Sequence, residues 1–494
     1  MSDAHDAVGL QARLQPQRLA AVELVSSRNW TYAEFDRAIG QCAAVLQLRG
    51  SQVGDRIASL ARNRVELVLL HLACARLGAI YVPLNWRLSS AEIERLLADA
   101  DPRLLVGDTL LESVVAATPR VTLDELAAQI VDAEPLPAAR IDEDRPSLIL
   151  YTSGTSGNPK GVLLSERNLA QTASNFSLLG RVTHESTFLC DSPMFHIIGM
   201  VTNVRPALMQ GGTILVSDGF DPARTLQRLA DPELRVTHYF CVPQMAHMLR
   251  QQPGFDPAPL RRLTGFFTGG APHPAANIRG WLADGISIVD GFGMSEAGTV
   301  FGMPIEREAI AAKAGSVGVA TPGIEARIVD AHGDECAIGT PGELQLRGPN
   351  ISAGYWRNPQ ETRAAFQDGW FRTGDIAKVD EEGFYFIVDR QKDMFISGGE
   401  NVYPAEIEAV LAGMSGVAEV AVVGVADTRW GEVGHAAIVR RPDSAITADD
   451  VLIYLASRLA RYKQPKQVSF LDALPRTGTG KVQKRMLKAV LART

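Results

Sequence analysis

The stretch YTSGTSGNPKG, residues 151–161, sets three glycines, five hydroxyl side chains, one proline and one lysine into eleven positions. Small residues let backbone N–H groups approach a ligand closely, hydroxyls donate hydrogen bonds, and Lys160 adds a mobile positive charge. Together they suit phosphate. The preceding SLILY, residues 147–151, reads as a buried strand, while GVLL and then Ser165 lead into a helical pattern beginning ERNLAQ. The loop is therefore expected at a strand end. It is not a nucleoside-triphosphatase P-loop, which needs Gly directly before the lysine and Ser or Thr directly after it; here those places hold Pro159 and Gly161. Taken alone the stretch equally suits a flexible surface loop, so other segments decide.

A chain of 494 residues has room for two or more domains with cores of their own. A 46% apolar composition with 21% charged residues reads as a soluble globular protein. The net charge of −7 offers no general attraction to nucleic acid or to an anionic membrane. The start MSDAHDAVGL lacks the pattern of a signal peptide, and no apolar run approaches the ~20 residues of a membrane span, so a cytoplasmic location without an integral membrane segment is expected. Cys42, Cys74, Cys190, Cys241 and Cys336 are scattered and lack metal spacing, and they read as buried reduced thiols. From Arg458 to Arg493 the chain carries ten Lys or Arg and one acid, Asp472, which suits a solvated helix face or a surface meeting a polyphosphate.

Strand-like runs (RIASLA, AIYVPL, RLLVG) alternate with helical patterns in the first third, which predicts a layered α/β unit with a largely parallel sheet. After the linker AEPLPAARIDEDRP the alternation resumes from 162 to 300. Short β-like runs broken by Gly and Pro fill about 315–390 and predict a small β-barrel-like unit. Beyond DRQKD a compact mixed domain of about one hundred residues is expected.

Five further segments carry chemistry. In DGFGMSEAG, residues 290–298, Glu296 takes the place of the third glycine of a dinucleotide fingerprint; a carboxylate there would repel pyrophosphate unless a divalent cation lay between. TGGAP, residues 268–272, offers backbone groups beside glycine that could read an adenine edge. WFRTGD, residues 370–375, ends in Asp375, which suits either a ribose or a Gly-Asp turn. DRQKD, from residue 389, falls where the β unit meets the last domain, and PRTGTGKVQKR, residues 475–485, places a lysine in a loop of the basic tail.

In this order the segments closely resemble the adenylate-forming superfamily of acyl-CoA synthetases, adenylation domains and firefly luciferase, from about residue 30 to residue 490. The resemblance implies a large N-terminal domain, residues 1–390, of two layered α/β subdomains plus the β unit. A small mobile α+β C-terminal domain, residues 391–494, follows a hinge near 390–393. It further implies two steps: a carboxylate attacks the α-phosphorus of MgATP to give acyl-AMP and pyrophosphate, and a thiol then displaces AMP. Carried over by position, Thr152, Ser153, Gly154, Thr155 and Lys160 form the phosphate loop. Gly270, Ala271 and Pro272, with Phe292, flank adenine; Ser295 meets the α-phosphate, Glu296 the Mg²⁺, and Asp375 and Arg390 the ribose. Serine departs from the commoner threonine at 295 but keeps the hydroxyl. Lys481 bridges carboxylate and α-phosphate, Lys392 is the pivot, and Gly398 and Gly399 line a pantetheine tunnel. Trp430, Tyr462 and Lys466 fall where some relatives touch the CoA nucleotide.

SPMFHIIGM, residues 192–200, resembles the acyl-CoA synthetase form of the pocket motif, with His196 after an aromatic residue and no Asp of the kind that amino-acid-activating domains place there. With Tyr239, Phe240 and Met294 it is expected to give mostly apolar walls for a fatty or aryl acid. The expected partners are that acid, ATP and free coenzyme A, and a homodimer is allowed. An aryl- or hydroxycinnamate-specific ligase, an enzyme loading a carrier protein, and a nucleotide-binding protein without catalysis are the alternatives. Intact Lys481 and Glu296 argue against the last.

Overall fold

The computed structural model describes residues 6–493 apart from 116, 138–139, 153–158, 272, 391–392, 398–399, 428–429, 457, 460 and 478–479. Ser153, Gly154, Thr155, Pro272, Lys392, Gly398 and Gly399 thus lie outside the described residues.

Runs such as IYVP and LLVG are apolar at every position, the pattern of strands covered on both faces, and they lie at the centre of a six-stranded sheet. Its strands Arg120–Thr122, Leu104–Gly107, Arg56–Leu60, Ile80–Pro83 and Pro146–Thr152 run parallel in that spatial order, and Lys160–Ser165 returns antiparallel at the edge. A second sheet of nine strands has a parallel centre, Ile288–Met294, Gly265–Thr268, His238–Cys241, Thr187–Cys190, Thr213–Val216 and Leu19–Glu23, with antiparallel pairs at both ends. The helix Glu166–Leu179 lies beside it, started by Ser165, whose hydroxyl accepts from the Asn168 N–H while the Asn168 side chain accepts from Ser165. An antiparallel five-stranded sheet then runs from Glu325–Val329 to Tyr385–Arg390.

The residues from 395 onward build a fourth sheet, centred on the long pair Val417–Asp427 and Gly431–Arg440. Alternation along these strands sends Val422, Ala436 and Ile438 into one core with Phe395, Ile407 and Leu411, and Ala421, Val423 and Ala437 into another with Leu487 and Leu491.

Several local readings change. WFRTGD is not a turn: Asp375 sits within the strand Trp370–Val379, because Phe371 and Ile376 have core positions to fill on this ladder. GFGM likewise continues its strand and folds back on Gly298–Gly302, so Glu296 stands at a hairpin tip. Cys42, Cys74, Cys190 and Cys241 are buried, whereas Cys336 is only half-buried; all five are free. Tyr239 is fully buried with its hydroxyl donating to Asp191, on the opposite face of its strand from Phe240.

One buried ionic cluster ties the two large sheets together. Arg205 donates to both oxygens of Glu166 at 2.6 and 2.8 Å and to Nε2 of His71 at 3.0 and 2.7 Å, while Ser147 donates to Glu166 at 2.6 Å. Burial and the adjacent guanidinium hold His71 well below its usual pKa, so it stays neutral and able to accept. Arg205→Ala leaves Glu166 buried without its cation and should cost about 3–5 kcal/mol in urea unfolding, with much of that loss recovered in a Glu166→Leu, Arg205→Met double variant. Equal losses in the single and double variants would contradict this account.

Candidate active site

The site forms where strand ends of the two large sheets meet the β unit. Thr152 and Lys160 face each other across an antiparallel pair, so the phosphate-like loop is pinned at its two ends. The Lys160 ammonium donates to Glu361 at 2.5 Å and lies 5.3 Å from the centre of the Tyr355 ring. Tyr355 in turn donates to Oε1 of Glu296 at 3.0 Å. Burial first, then the Glu296 charge, pushes the Tyr355 phenol well up, so it keeps its proton and remains a donor. Tyr355 reaches this place because Tyr355 bridges Val162 and Trp356 donates to Gly161, which zips the GYW segment onto the strand after Lys160.

Asp375 and Arg390 stand opposite each other on neighbouring strands, joined at 2.7 Å from Nε to Oδ1. The other Asp375 oxygen, Oδ2, is buried and has no hydrogen-bond partner among the described residues. Burial pushes this carboxyl up to about 6, against the opposing pull of Arg390 and then of Lys481, while Glu296 pushes it further up. The Lys481 charge also acts on His196, whose pKa falls to about 3, first through burial and then through Lys481 and Arg87. Lys481, from the C-terminal sheet region, is thus brought into the company of Asp375 and His196. The imidazole is neutral at ordinary pH, and its Nε2 is buried without a hydrogen-bond partner among the described residues. Its candidate role as a catalytic residue is therefore that of a neutral group, not a titrating base.

His196 precedes a single wide turn, Ile198–Thr202, closed by the Asn203 N–H donating to the Ile198 carbonyl at 2.9 Å. Such π turns splay side chains and recur at functional sites. Gly270, with φ +78°, lets the chain turn there, and a Cβ at that position would meet Ile198 at 3.4 Å and Val242 at 3.9 Å. Ala271, Phe292, Met294 and Ser295 line up nearby as half-buried residues, with the Phe292 ring against Phe301. Phe240 is half-buried although its strand is central, with its ring stacked on Phe176 at 5.6 Å. Trp430, Tyr462 and Lys466 stand exposed on the C-terminal unit.

Tyr355 and Glu361 were not legible as site residues, since a tyrosine in a GYW run and a glutamate in a helix carry no chemical pattern of their own. Asp389, which opens the DRQKD segment, accepts from the Ala405 N–H at 2.8 Å, beside the junction of the two units. Among the described residues no cluster of three His, Cys, Asp or Glu could hold a metal by itself.

Residues 10–356 match the family model described as AMP-binding enzyme, and residues 406–481 match that of the AMP-binding enzyme C-terminal domain. The chain is 39% identical over 459 residues to a feruloyl-CoA synthase of Amycolatopsis sp, covering 92% of each chain. It is 37% identical over 493 residues to the long-chain-fatty-acid–CoA ligase FadD13 of Mycobacterium tuberculosis, covering 97% of this chain and 96% of the other. The crystal structure of ATP-bound MatB from Rhodopseudomonas palustris superposes with a TM-score of 0.90 at 34% identity, covering 98% of both chains.

The elevated Asp375 pKa has a sign that can be checked. An acid whose pKa is raised on folding, here from 3.8 to about 6, costs stability when ionised; the cost is complete above the folded value and absent below the unfolded one. Asp375→Asn should therefore raise the unfolding free energy of the ligand-free protein near pH 7.5 by on the order of 1–3 kcal/mol, with the advantage gone by about pH 4. Thermal melts of both proteins across that range measure it, and a pH-independent difference would refute the assignment.

Proposed function

The chain belongs to the AMP-binding enzyme family, and from that premise we propose that it activates an apolar carboxylic acid, fatty or aryl, and passes the acyl group to coenzyme A. As an ATP-dependent acid–CoA ligase it uses the acid, ATP and CoA as substrates. In the first step a carboxylate oxygen attacks the α-phosphorus and pyrophosphate leaves. In the second the CoA sulfur attacks the acyl carbonyl and AMP leaves. A cytoplasmic location goes with these substrates, and no helix among the described residues is long and apolar enough to cross a membrane.

The observation that carries the reading is the Asp375–Arg390 pair, 2.7 Å apart, with the positive charge of Lys481 acting on both Asp375 and His196. Two anions, carboxylate and phosphate, must be brought together in the first step, and an ammonium held between them lowers the barrier most when the place is water-poor. In this reading Asp375 Oδ2 accepts from a ribose hydroxyl, which would satisfy its missing partner, and Arg390 holds the other side of the sugar. Thr152, Lys160 and the loop between them take the terminal phosphates, Lys160 exchanging Glu361 for a phosphate oxygen. Gly270, Ala271, Pro272 and Phe292 flank adenine, and Ser295 meets the α-phosphate.

Glu296 fits a Mg²⁺ ion, since it offers one carboxylate oriented by Tyr355 beside the phosphate loop, and this metal commonly takes one or two protein carboxylates with phosphate oxygens. When bound, the metal would neutralise phosphate charge. The acyl part is read as apolar because the groups near Gly270 and His196 include Ile198, Val242 and Phe240, and His196 itself is neutral. One relative is named for a feruloyl substrate and another for a long-chain fatty acyl one. For the second step the C-terminal unit would pivot at Lys392, bringing Gly398 and Gly399 to the site, with Trp430, Tyr462 and Lys466 toward the CoA nucleotide.

The decisive experiment separates the half-reactions. Lys481→Ala should slow acyl-AMP formation by ~10²-fold or more, the scale of lost transition-state electrostatics, while thioester formation from supplied acyl-AMP and CoA survives. Comparable losses in both assays would overturn the role. Glu296→Gln should raise the Mg²⁺ concentration needed for half-maximal pyrophosphate release by ~10-fold, because the amide removes the charge that holds the metal. An unchanged Mg²⁺ titration would contradict it.

A further inference from the structure

The loop that carries Lys481 is short and tight. Arg476 and Val482 pair across its base, the Thr477 N–H donates to the Lys481 carbonyl at 2.7 Å, and the Thr477 hydroxyl accepts from the Lys481 N–H at 3.2 Å. One side chain spans this hairpin from beneath. Arg476 donates through Nη1 to the Gly480 carbonyl at 2.6 Å, the peptide group directly before Lys481, and through Nη2 to Oε2 of Glu419 at 2.8 Å. The second oxygen of Glu419 accepts from Nε2 of Gln244 at 3.4 Å. Gln244 lies in the first turn of the helix Pro243–Arg250, which begins directly after Val242. A continuous line therefore runs from the acyl wall, through Gln244, Glu419 and Arg476, to the peptide that aims Lys481.

Glu419 owes its direction to an irregularity. The pairing of Val417–Asp427 with Gly431–Arg440 slips one residue between Val417 and Glu419, and bulges of this kind re-aim a side chain. The Leu474 and Val482 side chains on either side of the loop pack with Ala421 and Val423, so the base of the hairpin is fixed, and the Arg476 guanidinium holds the Gly480 carbonyl.

We propose that Arg476 is the positioning residue for Lys481, and that Glu419 and Gln244 form the contact by which the C-terminal unit registers its lysine against the acyl site during adenylation. The proposal rests on the role of Lys481 given above. A planar guanidinium can hold a carbonyl and a carboxylate at once in fixed directions, and an ammonium cannot reproduce that fork. Misplacing a reacting group by about 1 Å costs on the order of 10²-fold, so the effect belongs in turnover and not in substrate binding.

The test uses the full chain and both half-reactions, with Lys481→Ala alongside. Arg476→Ala should lower kcat for acyl-AMP formation by ~10- to 100-fold with KM for ATP changed less than about threefold, and leave the thioester step from supplied acyl-AMP within about threefold of the parent. Arg476→Lys should recover only part of the loss. Gln244→Ala and Glu419→Gln should each slow adenylation alone, and together no more than the worse single variant, because they break one line. Equal loss in both half-reactions, full recovery by lysine, or an unchanged adenylation kcat in Arg476→Ala would each overturn the proposal. If Lys481→Ala itself left adenylation intact, the reading of Lys481 would fall instead, whatever Arg476 did.

Discussion

Positive charge gathered for a polyphosphate is costly to keep in a half-buried place, and the arrangement of this site follows from how that charge is held. Lys160 rests on Glu361 and Arg390 on Asp375, in each case with one partner held in water-poor surroundings and the other reaching solvent. The same surroundings penalise any carboxylate that gains no full set of donors. Asp375 shows both effects, bonded through one oxygen and bare at the other. The result is a centre whose cations are already aligned against carboxylates of the chain itself. Neutral groups complete it, with His196 stripped of its charge by burial and Tyr355 kept protonated beside Glu296.

The geometry that makes these exchanges local comes from strand ends. Two parallel-cored sheets deliver Thr152, Thr268 and Asp290 at their C-terminal ends, where backbone groups run out of ladder partners and ligands commonly bind in layered α/β folds. The β unit approaches from a third side with Asp375 and Arg390 already in register. The lysine arrives on a separately cored unit, so its position is decided by a few contacts across a boundary and not by shared packing.

Much of this was legible in the chain. Alternating strand and helix patterns predict the layered sheets because parallel strands must be apolar on both faces, and the phosphate-like loop stands between strands as its glycines and hydroxyls suggest. Single-residue conformations were less legible. Asp375 after Gly374 has the local chemistry of a turn, yet it lies in a strand, since the pairing with Arg390 and the burial of Phe371 outweigh local preference. Tyr239 looked like a pocket wall because it adjoins Phe240, but strand alternation sends neighbours to opposite faces. Tyr355 and Glu361 meet Glu296 and Lys160 only through tertiary folding, and nothing in their own segments announces it.

The wide turn at Ile198–Thr202 has a consequence for how such a protein could change its length. A π turn is one residue more than an α-helical turn needs, so a single deletion or insertion there can be absorbed as a change of helical phase. Side chains of the turn would rotate, while the paired strands beside it would keep their register. A change of length at this turn is thus a matter of local phase, separable from the pairing of the sheets.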